Sequence, residues 1–119
     1  MSGIAIEIKP LKDRAASAFK AREYLTALNT YEEALHLVNQ RNNVLDGFQA
    51  KLDGASEEGK QDPKLPSPGE LEAARKEVRS QQATLYSNVA LCHMKREEYL
   101  EGGYYVKRCL EIEPTNVKA

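Results

Sequence analysis

Residues 86–114 read YSNVALCHMKREEYLEGGYYVKRCLEIEP, and residues 11–38 read LKDRAASAFKAREYLTALNTYEEALHLV. The two segments superpose without gaps. The shared frame sets Leu11 on Tyr86, Ala15 on Ala90, Phe19 on Met94 and Tyr24 on Tyr99. It continues with Ala27 on Gly102, Tyr31 on Val106, Ala34 on Cys109 and Leu35 on Leu110. In each copy apolar residues recur at three- and four-residue steps, pause at a short polar break, and resume. That is the pattern of two amphipathic helices joined by a tight turn. Ala27 and Gly102 are the small residues required where the two helices of a pair cross nearly in contact.

Working outward, residues 1–9 read as a short leader with alternating Ile4, Ile6 and Ile8, too brief to fold alone. Pro10 suits a first helical position, where its missing N–H costs nothing. Leu11, Ala15, Ala18 and Phe19 form the stripe of the first helix. After a break at 21–23, a second helix carries Ala27, Leu28, Tyr31, Ala34, Leu35 and Val38 on one side. Leu45, Phe48 and Leu52 continue that side, although Asn42 and Asn43 are weak helix formers. Residues 54–69, rich in Gly, Pro and Ser, form a loop. Ser67-Pro68-Gly69-Glu70 then offers a capping Ser with a Glu three residues on. Leu71, Ala74, Val78, Leu85, Val89 and Cys92 predict one long helix ending near Arg96, and a last helix spans 100–113 until Pro114 stops it.

The expected fold class is therefore all-α: antiparallel helix-turn-helix repeats with an extended middle helical hairpin. Repeat one covers about 10–40, the hairpin and loop about 41–80, and repeat two about 81–116, within a single domain over 10–119.

Composition narrows the function. The chain has 119 residues and a net charge of −1, which argues against a general nucleic-acid binder. No run of 18 apolar residues exists, so no membrane span is expected. The start MSGIAIEIKP lacks the order of a signal peptide, and two Cys make no disulfide framework, so a cytoplasmic protein is expected. Catalysis finds little support. His36 and His93 are single, without metal-ligand spacing, and Cys92 and Cys109 fall at packing positions. Gly102-Gly103 lacks the preceding strand of a phosphate loop. No catalytic residue, metal or cofactor is expected, and the protein reads as a non-enzyme.

The repeated segment resembles the tetratricopeptide repeat family, whose Ala-x3-Phe element is held here by Ala27-x3-Tyr31 and Gly102-x3-Val106, with Pro114 as the closing Pro. The second copy is most similar to co-chaperone domains, including those of large immunophilins. The chain departs from the pattern at Arg14 and Val89, at Asn39, and in its crossing glycine. The resemblance implies an α-α superhelix whose first helices line a concave groove. Those positions are Lys9, Lys12, Asp13, Ala16, Phe19 and Lys20 in repeat one. Repeat two supplies Thr84, Ser87, Asn88, Leu91, Met94 and Lys95, and the start of a third supplies Lys118.

One acid against several lysines focuses a positive field suited to an acidic partner. In the co-chaperones, Lys and Asn clamp the C-terminal carboxylates of heat-shock chaperones, whose tails end in Glu-Glu-Val-Asp. Lys12, Asn88 and Lys118 match clamp positions, Ala16 stands in place of the first Asn, and the last Arg would lie past Ala119. The implied partner is the acidic tail of a chaperone of the heat-shock protein 90 or 70 class. The alternative is a scaffold, or a fragment that self-associates through Val106, Leu110 and Ile112 on the last helix, with no clamp.

Overall fold

Two helical hairpins, each closed by the same backbone hydrogen bonds, make up the chain. The structure is a computed structural model and describes residues 3–54 and 67–112. Its elements are α1 (Ile4–Lys20), α2 (Tyr24–Gly54), α3 (Pro68–Lys95) and α4 (Tyr99–Ile112). Every regular element among the described residues is an α-helix. No described helix is long and apolar enough to cross a membrane.

The turns explain why the sequence repeat is visible. At the end of α1, the Arg22 N–H donates to the Phe19 carbonyl at 3.0 Å and the Glu23 N–H to Ala18 at 2.9 Å. At the end of α3, the Glu97 N–H donates to Met94 at 3.0 Å and the Glu98 N–H to His93 at 2.8 Å. Arg22 (φ 64°) and Glu97 (φ 62°) hold the left-handed conformation that ends both helices. Each residue of the first turn sits on its partner in the sequence frame. Tyr24 and Tyr99 then open the second helix of each pair.

Helix α1 begins earlier than Pro10 implied. The supposed leader is helical from Ile4, and Pro10 lies inside the helix. Ile4 and Ile8 are buried while Ile6 is 71% exposed, so the alternation resolves into an i, i+4 pair on the core side. Burial of two Ile side chains, at about 1.5–3 kcal/mol each, offsets an interior proline costing about 3 kcal/mol. Pro10 is itself exposed, and it leaves the Ile6 carbonyl on the wet side of the helix. The start of α1 is capped from another helix. Gly3 supplies no side-chain cap, and Glu77 of α3 accepts the Ala5 N–H at 2.9 Å. A Cβ at Gly3 would stand 2.5 Å from that same carboxylate oxygen, so a side chain here would make the Glu77 carboxylate shift. Arg41 of α2 also donates to both carboxylate oxygens of Glu7 at 2.7 Å.

The long middle helices pair antiparallel. Gln82 donates to Asn39 at 2.9 Å, and one heptad along, Arg75 donates to Asp46 at 2.8 Å. A step forward on α2 is matched by an equal step backward on α3. Asn42 and Asn43 do not interrupt α2, because Val38 and Leu45 on the core face stay fully buried across them. Ser67 caps α3 as its sequence suggests, accepting the Glu70 N–H at 3.2 Å, with Pro68 in the first turn. Residues 55–66 of the expected loop, and Pro114, lie outside the described residues.

Helix α4 packs on α3. Tyr105 inserts between Tyr86 (6.0 Å) and His93 (5.3 Å), and the Cys109 thiol reaches the Ala83 carbonyl at 3.3 Å. Gly102 meets Met94 at the crossing, where a Cβ would lie 2.9 Å from the thioether methyl. Of the three apolar residues expected on the free face of α4, Val106 is exposed. Leu110 is half-buried, and Ile112 packs against the core because it lies on the α3 side of the helix.

Since Glu77 both caps α1 and faces its dipole, Glu77→Ala should lower stability by about 1–2 kcal/mol. Glu77→Gln, which keeps an acceptor, should cost less than half as much. Urea unfolding followed by circular dichroism, with an unchanged slope, checks both.

Candidate functional site

Helices α1 and α3 run side by side in the same direction, because each is antiparallel to α2. Ala5 at the start of α1 meets Glu77, more than two turns into α3, and Lys12 meets Gln81 further along. Past that bridge the two helices leave a hollow of 210 Å³, lined by Ala16, Phe19 and Lys20 of α1, Tyr31 of α2, and Asn88 and Leu91 of α3. Five of these six residues are groove positions read from the sequence. Tyr31 is the sixth, and was read as a core residue of the second helix. It is both: its ring is 93% covered, as its 7% exposure implies, yet one side forms the floor between the two first helices. The signal for this is its size against Val106 at the equivalent place, since only a long side chain on the second helix reaches through.

The walls are made by different contacts. Phe19 is held edge-on by Tyr24 at 5.1 Å between ring centres, which turns it toward the hollow. Leu91 is 45% exposed at the rim. Asn88 is half-buried, and Lys20 is exposed beside it. Lys12 is half-buried and donates to Gln81 at 3.1 Å, one turn below Ala16. Gln81 and Asn88 are a heptad apart and so share one face of α3, whereas the cation in the lining of the hollow itself is Lys20.

Other expected groove residues take different places. Lys9 is paired with Asp13 at 2.8 Å, both well exposed. Thr84 is half-buried, whereas Ser87 and Lys95 are exposed. Met94, expected in the groove, instead covers Gly102 at the α3–α4 crossing, where the missing Cβ makes room for it. Lys118 lies outside the described residues.

In two larger concavities part of the polar lining is engaged internally. One, of 460 Å³, adjoins the start of α1, where Glu77 caps the helix and Arg41 holds Glu7. The other, of 450 Å³, contains Arg75 and Gln82, already bonded to Asp46 and Asn39.

The titratable groups follow their surroundings. Burial, and then the nearby Glu32, pushes the Cys92 thiol up to about 11. Burial, and then Cys92, raises the Tyr31 phenol, so it stays neutral as a lining group. Hydrogen bonds from Arg96 and then from His93 lower the Glu98 carboxyl below its usual range. His93 faces α4: Nδ1 contacts Glu98 at 3.0 Å, and Nε2 is buried without a hydrogen-bond partner among the described residues. Among the described residues, no three His, Cys, Asp or Glu side chains gather in a way that could hold a metal ion. What the hollow offers is one cation, one amide and a neutral phenol over apolar walls. Such a set binds a carboxylate beside an apolar group.

No protein-family model, curated protein or solved structure matches the chain.

Because Cys92 is fully buried with its thiol pushed up to about 11, and Cys109 is buried as well, neither side chain should react with iodoacetamide in the native protein at pH 7.5. Labelling followed by mass spectrometry should show alkylation only at urea concentrations that unfold α3 and α4.

Proposed function

We propose that this chain is a protein–protein interaction module of the tetratricopeptide co-chaperone kind, working in the cytoplasm, with no enzymatic activity. Its ligand is the acidic C-terminal tail of a heat-shock chaperone of the 90 or 70 class, gripped through a partial carboxylate clamp. The observation that supports this reading is that Lys20 of α1 and Asn88 of α3 line one apolar-walled hollow, with Lys12 bonded to Gln81 a heptad before Asn88. A carboxylate entering beside Lys12 exchanges a neutral acceptor, the Gln81 amide, for a charged one, and charge-assisted bonds are roughly twice as strong. Lys95, exposed at the end of α3, adds to the same field, whereas Lys9 is half-neutralised by Asp13.

Ala16 weakens the clamp. An amide at that place would contribute a hydrogen bond to a charged group, on the order of 1.5–3 kcal/mol. Affinity should therefore be about 10–100-fold below that of a full clamp. Calorimetric titration with acetyl-Met-Glu-Glu-Val-Asp tests the proposal. Binding is expected for the free C-terminus and should drop at least tenfold on amidation, or in the double variant Lys12→Ala with Asn88→Ala. Binding that ignores both changes would refute the clamp.

A second reading, self-association without a clamp, is favoured by the free face of α4. Leu100 is 89% exposed there, beside Tyr99, Tyr104 and Val106. Light scattering at two protein concentrations separates the readings: a mass that doubles with concentration, and falls back in Leu100→Ser with Val106→Ser, supports the second.

A further inference from the structure

The hollow between α1 and α3 is asymmetric in its chemistry, and this bears on the last residue of whatever peptide enters it. Its single charged lining group is Lys20, and its amide is Asn88. Together they provide donors for one carboxylate. The remaining lining is the Ala16 methyl, the Phe19 and Tyr31 rings and the Leu91 side chain. At 210 Å³ it exceeds the roughly 150 Å³ of a dry apolar cavity that accepts benzene, so a whole aliphatic side chain fits. Lys12, the next cation along α1, lies outside this lining and is bonded to Gln81.

We infer that this hollow selects peptides whose last residue has an apolar side chain, with the free main-chain carboxylate held at the rim by Lys20 and Asn88. The ligand class is a C-terminal tail ending in Leu, Ile, Val or Met in preference to Asp, and Ala16 is the specificity-determining residue. This deepens the peptide-capture reading and rests on it. The main-chain carboxylate takes up the donors at the rim. A terminal Asp would then press a second carboxylate against the Ala16 methyl and the rings, where the lining holds no further cation. An unpaired charge placed there is costly. A Leu side chain in the same place gains by leaving water. A single methyl at position 16 creates this preference, because an amide there would offer the second carboxylate a donor.

The test is calorimetric titration of the full chain with acetyl-Met-Glu-Glu-Val-Leu and acetyl-Met-Glu-Glu-Val-Asp, each with a free or an amidated C-terminus. The Leu-ended free acid should bind about tenfold more tightly than the Asp-ended one, with amidation weakening both. Ala16→Asn, at a half-exposed position, should bring the two affinities together or reverse their order. Leu91→Ser, at the exposed rim, should weaken the Leu-ended peptide several-fold and leave the Asp-ended peptide unchanged; it decides the matter if Ala16→Asn loses its helical signal. An Asp-ended peptide that binds as tightly as the Leu-ended one overturns this inference and leaves peptide capture standing. A ratio unmoved by both substitutions also overturns it. Binding of neither peptide overturns both readings.

Discussion

Arg22 and Glu97 each turn a helix end back on itself with φ near 60°, a conformation that costs a residue with a side chain about 1–2 kcal/mol. The chain accepts that cost twice because the geometry it produces is the one the packing needs. With the Glu23 and Glu98 amides returned to the carbonyls of Ala18 and His93, the next helix starts at a set angle, and Ala27 or Gly102 arrives at the crossing. The crossing in turn decides which side of each first helix faces outward. Had either turn opened by one residue, the α1 and α3 faces would rotate about 100° relative to α2, and Ala16 would no longer stand opposite Asn88. The hollow is a consequence of two equal turns.

Those turns were legible because their surroundings repeat in the sequence. Tyr24 and Tyr99 share a place in the frame and open α2 and α4, and the Ser67 cap could be read from four residues. Local chemistry decided these features, so local reading found them. The start of α1 was hidden for the opposite reason. Pro10 pointed to a helix beginning there, whereas the burial of Ile4 and Ile8 and the carboxylate of Glu77 lie in tertiary structure, 72 positions away along the chain. The candidate site divides in the same way. Ala16, Phe19, Lys20, Asn88 and Leu91 are groove positions that the repeat resemblance implies, carried along each first helix by its phase. The places of Tyr31 and Met94 do not follow in that way, because each depends on how far a side chain reaches across an interface. Gly102 takes Met94 away from the groove, and the length of the Tyr31 side chain carries its ring into it.

Charge is arranged more locally than the net value of −1 suggests. Several acids are paired with cations away from the hollow: Asp13 with Lys9, Glu7 with Arg41, Asp46 with Arg75, and Glu98 with Arg96. No acid is in the lining of the hollow, and Lys12, outside that lining, is bonded to a neutral amide. Pairing elsewhere leaves the α1–α3 groove with a positive field, although the protein as a whole is slightly acidic. Exposed ion pairs contribute little to stability, so this arrangement matters more for attracting a partner than for holding the fold.

The α2–α3 and α3–α4 interfaces differ in what they bury. Between α2 and α3 the buried surface is largely aliphatic, with Val38, Leu45, Val78 and Leu85 almost wholly covered. Between α3 and α4 it is aromatic and polar. His93 lies where the first repeat has Ala18, with its ring stacked on Tyr105 and its Nε2 buried without a partner among the described residues. An unsatisfied buried acceptor costs about 1–3 kcal/mol, and stacking returns roughly 0.5–1.5 kcal/mol for a ring pair. Helix α4 packs on α3 alone among the described helices. The hollow draws its lining from α1, α2 and α3 alone, so loosening of α4 leaves its walls in place. Met94 links the two regions: it follows Leu91 by less than a turn and rests against Gly102. A groove built on α1, α2 and α3 can keep its shape if the last helix repacks.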